Sequence, residues 1–176
     1  GNESGWNIAH LALYDTNNKL LGVAPHYLKH HSYGEYIFDH SWAHAFERAG
    51  GAYYPKSLSA VPFTPATGPR LLVTNGDAGK KAAMAHGLAS FAEQNQLSSS
   101  HINFLPAEDT AILADAGWLI RHGTQFHWHN EGYANFDTFL DNLSSRKRKN
   151  IRKERASIRG AGVEMRLLTG ADIKPH

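Results

Sequence analysis

Arg70-Leu71-Leu72-Val73-Thr74, then Asn75-Gly76-Asp77-Ala78-Gly79, then the run over residues 80–96 decide the fold. The first string has the apolar pattern of a buried strand, and the second is a tight turn built from Asn, Gly and Asp. The third sets Ala83, Gly87, Leu88, Phe91 and Ala92 near one face at helical spacing. Downstream, Ser98-Ser99-Ser100 is a loop and residues 101–105 read as a strand. Pro106 opens a helix that runs to Asp115 and ends at Gly117. Residues 118–121 and 124–129 read as two further strands around His122-Gly123. Upstream, residues 10–14 and 19–24 flank the polar turn Asp15-Thr16-Asn17-Asn18 and form a hairpin. Residues 33–38 look β-like, and residues 42–49 have helical character that stops at Gly50-Gly51. This order predicts an α/β protein of the α+β kind, a mixed sheet with helices on its faces.

Beyond residue 134 the pattern changes. Phe136, Phe139, Leu140 and Leu143 lie at helical spacing, a cationic helix follows, and residues 163–168 read as a new strand. A second domain is therefore expected to begin near Asn135. The cationic stretch, residues 144–159, holds eight of the 18 Lys and Arg and one of the 16 acids. The rest of the chain keeps 10 basic against 15 acidic residues, so this one segment carries the whole positive excess. Helical spacing puts Arg148, Arg152 and Arg155 on neighbouring turns of one face, where like charges repel. An anionic partner such as a pyrophosphate, a polynucleotide or an acidic surface relieves that repulsion, and Arg grips phosphate with a bidentate fork. Ser145, Arg146, Arg148, Lys149, Arg152 and Arg155 are the candidate anion-binding or cofactor-binding residues. The plainer alternative is a solvated face with Ile151 and Ile158 packed inward. Either Ser144 or Ser145 can cap the helix.

Other motifs point less sharply. Residues 75–81 sit between strand and helix, where amides can hold phosphate, but they form neither a Walker A loop nor a G-x-G-x-x-G fingerprint. An ordinary turn is the expectation there. The loop over residues 61–69 has three prolines, which forbid a regular ladder. Phe63, Thr64, Thr67 and Arg70 make it either a cleft wall or a structural crossover. Twelve histidines include the pairs His40/His44 and His127/His129, yet no H-E-x-x-H occurs, there is no cysteine, and no metal site is expected. Without a G-x-S-x-G elbow a serine hydrolase is not expected, and no catalytic residue stands out. No apolar run reaches the ~20 residues of a membrane-spanning helix. The missing cysteines and the absence of a secretion-signal pattern fit a cytosolic protein.

Three strings together carry a resemblance. They are the stretch Tyr54-Pro55-Lys56-Ser57-Leu58-Ser59-Ala60-Val61-Pro62-Phe63-Thr64-Pro65 with its continuation to Arg70, then Gln125-Phe126-His127-Trp128, then residues 144–155. They resemble the bacterial peptidoglycan biosynthesis or recognition proteins, which are related to the Fem aminoacyl-transferases and, by fold, to the GNAT N-acetyltransferases. The resemblance implies two GNAT-like units in tandem. Residues 1–134 would be the first, N-terminally incomplete, and residues 135–176 the opening helix and strand of a second, truncated one. It also implies an N-acyltransferase acting on an amine, with acyl-CoA or aminoacyl-tRNA as donor and the basic helix holding the CoA pyrophosphate or the tRNA. Residues 75–80 do not match the GNAT Arg/Gln-x-x-Gly-x-Gly/Ala loop, so the donor stays open between the two. A second function remains open as well: a non-catalytic RNA-binding or scaffold module that uses the basic helix.

Overall fold

Asp15 makes the first hairpin. Its Oδ1 accepts the amides of Asn17 at 2.8 Å and Lys19 at 2.9 Å, and Asn18 completes the reversal at φ 60°. The strands on either side are each interrupted once, giving β1 (Asn7–Ile8) and β2 (Leu11–Tyr14) before the turn, and β3 (Leu20–Ala24) and β4 (Tyr27–Lys29) after it. This computed structural model describes residues 4–173. After β4 come α1 (His40–Arg48), β5 (Lys56–Ser59), β6 (Leu72–Val73), α2 (Ala78–Gln94), β7 (Ser100–Ile102) and α3 (Ala107–Asp115). Two sheets result, ordered β1-β4-β5-β7 and β2-β3-β6. All pairings are antiparallel except β5 with β7, where Leu58 stands beside His101. The mixed sheet expected from the sequence is present.

Helix α2 starts where the turn chemistry dictates, with Asp77 Oδ1 accepting the Lys80 amide at 2.8 Å. Its Met84, Ala85 and Leu88 join Ala24, Leu71 and Leu113 in one core, with Leu11, Leu13, Val73 and Trp118 packed around them. Burying each large side chain there is worth roughly 1.5–3 kcal/mol. Lys81 ties α2 to α3 through Asp109, Nζ to Oδ1 2.5 Å. Helix α3 ends in a left-handed Gly117 (φ 84°), with the Trp118 amide closing onto the Leu113 carbonyl. A second, smaller core of Trp6, Tyr27, Leu58 and Ala60 lies on the β1-β4-β5 sheet.

Four segments differ from the sequence expectation. Residues 33–38 are not extended, because Gly34, Tyr36 and Phe38 all take positive φ (79°, 59° and 50°) and turn the chain repeatedly. Residues 118–121 and 124–129 form no ladder, and Leu119 and Phe126 stand 98% exposed. Residues 163–168 also remain irregular, with Val163, Met165 and Leu167 exposed. Alternation makes a strand only where a neighbouring edge accepts its amides, and no described residue pairs with these segments. Conversely β5 is a strand the pattern hid, since Lys56, Ser57 and Ser59 are polar yet all four of its residues are buried.

The chain divides into two compact units, Gly1–Thr124 and Gln125–His176. The second starts ahead of the expected boundary at 135, because Trp128 and Tyr133 pack their rings on Phe139. It contains α4 (Phe136–Asp141) and α5 (Ser145–Gly160). Asn135 opens α4 with a reciprocal capping box to Thr138.

Candidate functional site

The β4–β5 register sets Lys29 directly opposite Lys56, a like-charge pair that by itself destabilises the ladder. Both side chains are fully buried. The positive-φ turns over residues 34–38 supply the compensation by bringing Ser32, Glu35 and Asp39 onto the lysines. Lys56 Nζ donates to Ser32 Oγ at 2.9 Å, Glu35 Oε2 at 2.8 Å and Asp39 Oδ2 at 2.6 Å. Tyr53 donates its hydroxyl to the same Asp39 oxygen at 2.8 Å, and Tyr54 OH meets Ser32 Oγ at 2.8 Å. All three Lys56 protons are thereby used, so Lys56 holds the cluster together and is no nucleophile. Lys29 is less committed. Its Nζ donates to the Tyr33 carbonyl at 3.2 Å and lies 4.0 Å above the Trp6 ring.

Burial dominates the titration of this cluster. It pulls the Lys29 amine down to about 8, with Glu35 opposing and Lys56 adding to the fall. Burial also raises the Glu35 carboxyl despite Lys56 beside it. Burial pushes Asp39 upward too, but its hydrogen bonds to Lys56, Ser32 and Tyr53 outweigh this and hold it at about 2. Burial and the Asp39 carboxylate drive the Tyr53 phenol well up. Glu35 Oε1 and Asp39 Oδ1 remain buried without a partner. Two cations and two anions make a neutral knot whose balance depends on Lys56.

A second polar group sits at the carboxyl ends of the parallel strands β5 and β7, the position where open α/β sheets bind ligands. His26 Nδ1 lies 2.8 Å from Ser59 Oγ, and the Asn103 backbone N–H donates to the Ser59 carbonyl at 3.0 Å. His26 Nε2 and Asn103 Nδ2 are buried without partners. Burial, and then His10, hold His26 down at about 4, so its ring is neutral at physiological pH. Neither group stands out in the sequence, because isolated Lys, Glu, Asp and His normally face solvent. The available signal was a charged residue inside the short run Tyr53 to Ala60 that is otherwise aromatic, apolar or small.

The residues singled out from sequence divide by location. Arg70 is buried, and its guanidinium is spent inside the loop, on the carbonyls of Ala66 at 2.6 Å, Gly68 at 2.8 Å and Pro69 at 3.3 Å. It shapes the loop, and its Nε is buried without a partner. Phe63 takes φ 55° with its ring on Trp6 at 5.8 Å, while Thr64 and Thr67 are exposed. At the 75–80 turn the Asp77 carboxylate already occupies the helix amides. Among the described residues no group of three or more His, Asp or Glu is arranged to hold a metal, and no helix is long and apolar enough to cross a membrane.

On α5 the row Arg148, Arg152 and Arg155 lies on the side that touches α4, with Arg148 partly buried and Arg152 and Arg155 exposed. Arg148 caps α4 through the carbonyls of Leu140 at 3.4 Å, Asp141 at 3.2 Å and Leu143 at 3.4 Å. Arg152 pairs loosely with Asp137 at 3.7 Å, and Arg155 lies 4.1 Å over the Phe136 ring. Ile151 is half-buried on this side, whereas Ile158 is 43% exposed. The opposite face, through Arg146, Lys149 and Lys153 at i, i+3 and i+7, is exposed and has no ionic partner among the described residues. Ser145 is the exposed first residue of the helix, and Ser144 at the cap position makes no side-chain capping bond. In the same unit Trp128, Tyr133, Phe136 and Phe139 form one contiguous aromatic set.

These features define an α/β protein with a buried charge knot, a buried polar cluster at parallel strand ends and a basic helix. The family model for FemAB-like proteins, described as peptidoglycan biosynthesis/recognition, matches residues 1–176, and the chain belongs to that family. No curated protein and no solved structure matches it.

Proposed function

We propose that the protein is an N-acyltransferase of the GNAT/Fem type, transferring an acyl or aminoacyl group to an amine of a peptidoglycan precursor. The family supports the biological setting. The order β6, turn, α2, β7, α3 in the first unit supports a GNAT-like core. The observation that carries the chemistry is the pair of unpartnered buried groups, His26 Nε2 and Asn103 Nδ2, at the carboxyl ends of β5 and β7, where the His26 ring meets Ser59 Oγ and the Asn103 backbone N–H donates to the Ser59 carbonyl. In acyl transfer the amine nitrogen bonds to the acyl carbon, the carbonyl oxygen becomes an oxyanion, and the amine proton must leave. The neutral imidazole of His26 accepts that proton, and the Asn103 amide donates to the oxyanion before the donor's leaving group departs. The exposed Arg146, Lys149 and Lys153 face attracts the anionic donor, acyl-CoA or aminoacyl-tRNA. Steady-state transfer assays with both donors test this. His26→Gln is expected to lower kcat by roughly 10²–10⁴ and Asn103→Ala by roughly 10²–10³. Unchanged kcat in both folded variants would remove these residues from the mechanism.

A non-catalytic RNA-binding function is the second reading, favoured by one observation: the aromatic set beside α5 offers stacking surfaces next to cations. It requires RNA binding with no transfer from any donor.

A further inference from the structure

Within the second unit, Trp128, Asn130, Tyr133, Asn135, Phe136 and Phe139 enclose an open cleft of about 480 Å³. Trp128 and Tyr133 present nearly parallel rings, 27° apart with centroids at 6.2 Å. Trp128 remains 66% exposed, an unusual state for so large an apolar ring. The two asparagines add directional chemistry. Asn130 Oδ1 accepts the Gly132 amide at 3.0 Å, and Asn135 Oδ1 accepts the Thr138 amide at 3.0 Å. A backbone N–H can be met only by the carboxamide oxygen, so on each residue the NH₂ end is left over, and it has no partner among the described residues. Phe136, one wall of the cleft, carries the Arg155 guanidinium 4.1 Å above its ring. Arg152 sits one helical turn away, 54% exposed and held only by the 3.7 Å contact to Asp137.

An occupant that satisfies all of this is flat, has ring or carbonyl acceptors at its edge, and carries a negative group close by. A fatty chain would leave the amides and guanidinia unmet, and a bare phosphate would leave the rings unused. We propose that this cleft binds one nucleotide, with its base stacked against Trp128 and Tyr133, its edge acceptors on the Asn130 and Asn135 NH₂ groups, and its phosphate on Arg155 and Arg152. The inference deepens the N-acyltransferase reading by placing the nucleotide of the donor. The same chemistry can come from a free nucleotide cofactor or from a nucleotide of an RNA strand.

Calorimetric titration of the 176-residue chain with adenosine 5′-monophosphate, coenzyme A, a short single-stranded oligoribonucleotide and ribose 5-phosphate tests it. At least one base-bearing ligand is expected to bind more tightly than ribose 5-phosphate. Trp128→Ser should weaken that ligand by about tenfold or more, the effect of losing one stacked base. Arg155→Gln should weaken it with less dependence on the base. Both positions are partly solvent-facing, and far-UV circular dichroism checks that each variant is folded. Binding of coenzyme A or the mononucleotide identifies a free cofactor as the source, and binding of the oligonucleotide alone identifies a strand. Equal affinity for ribose 5-phosphate, or affinities unmoved by Trp128→Ser, would overturn the proposal. Transfer activity separates the two ideas. Nucleotide binding of this pattern without any transfer leaves the cleft standing and removes the enzyme. Transfer with a donor KM unaffected by Trp128→Ser leaves the enzyme standing and removes the cleft.

Discussion

Replacing Lys56 by Met keeps the shape of the side chain and deletes the charge at the centre of the buried knot. In the native protein that ammonium donates to Glu35, Asp39 and Ser32 at 2.6–2.9 Å with no solvent access. Without it two carboxylates face each other in a site where each already has one unpartnered oxygen. Removing one partner of a buried ionic group costs about 3–5 kcal/mol, because the remaining charge is uncompensated. That is a large share of the ~5–15 kcal/mol that holds a typical domain folded. At roughly 3 °C per kcal/mol for a chain of this size, the midpoint of thermal unfolding should fall by roughly 10–15 °C. Urea and thermal unfolding followed by circular dichroism at pH 7 measure the loss. The sign of the pH dependence is also set. Asp39 is held at about 2, below its ordinary value, so the stability it contributes is present above pH ~4 and is lost as pH falls toward 2. In Lys56→Met that anchor is gone, and both carboxyls take up protons readily. The gap between variant and native protein should therefore narrow on acidification. Adding Glu35→Gln and Asp39→Asn to Lys56→Met should recover part of the loss. A cost below about 1 kcal/mol at pH 7, or a gap that widens in acid, would show that the cluster is not the charged network described.

Gly22→Ala should destabilise the first unit by about 1–3 kcal/mol in urea unfolding, because a Cβ there would stand 2.8 Å from Val73 Cγ1 and 3.0 Å from the Leu72 carbonyl oxygen. His26 and His101 are both held down at about 4, chiefly by burial. The unfolded chain therefore binds more protons than the folded one between pH ~6.5 and 4. Stability should fall with acidification across that window, by up to ~1.4 kcal/mol per pH unit for each histidine, and His101→Gln should flatten the slope. Substituting Arg146, Lys149 and Lys153 together by Gln should cut the salt dependence of RNA or donor binding by roughly two units of log–log slope without changing the unfolding midpoint. Arg148→Ala should do the reverse, costing about 1 kcal/mol of stability through the lost α4 cap while leaving the slope nearly intact.

The parts of the fold legible in the sequence were those with a strong local cause. Residues 15–18 and 75–79 announced their turns, the 3.6-residue spacing from Ala83 to Ala92 announced α2, and Gly117 announced the end of α3, whereas the capping role of Asp77 emerged only in the structure. What stayed hidden depends on partners distant in sequence. Nothing in Lys29, Glu35, Asp39 and Lys56 taken singly shows that strand register and three left-handed residues will gather them. The basic helix was legible as charge but not as geometry. Within its most suggestive row, Arg148 is committed to the α4 carbonyls, whereas Arg152 and Arg155 touch α4 and stay exposed. The apolar strings at 118–129 and 163–168 show the complementary limit, since alternation marks what a strand would bury and not whether an edge is there to receive it.

The most direct test is transfer itself. The protein is incubated with labelled acyl-CoA or aminoacyl-tRNA and a peptidoglycan-precursor peptide bearing a free amine, and the peptide is followed by mass spectrometry. A mass gain of one acyl or aminoacyl group on the amine is expected, from one donor class, and lost in His26→Gln. No mass gain from either donor, with RNA binding retained, would contradict it and leave a binding module in its place.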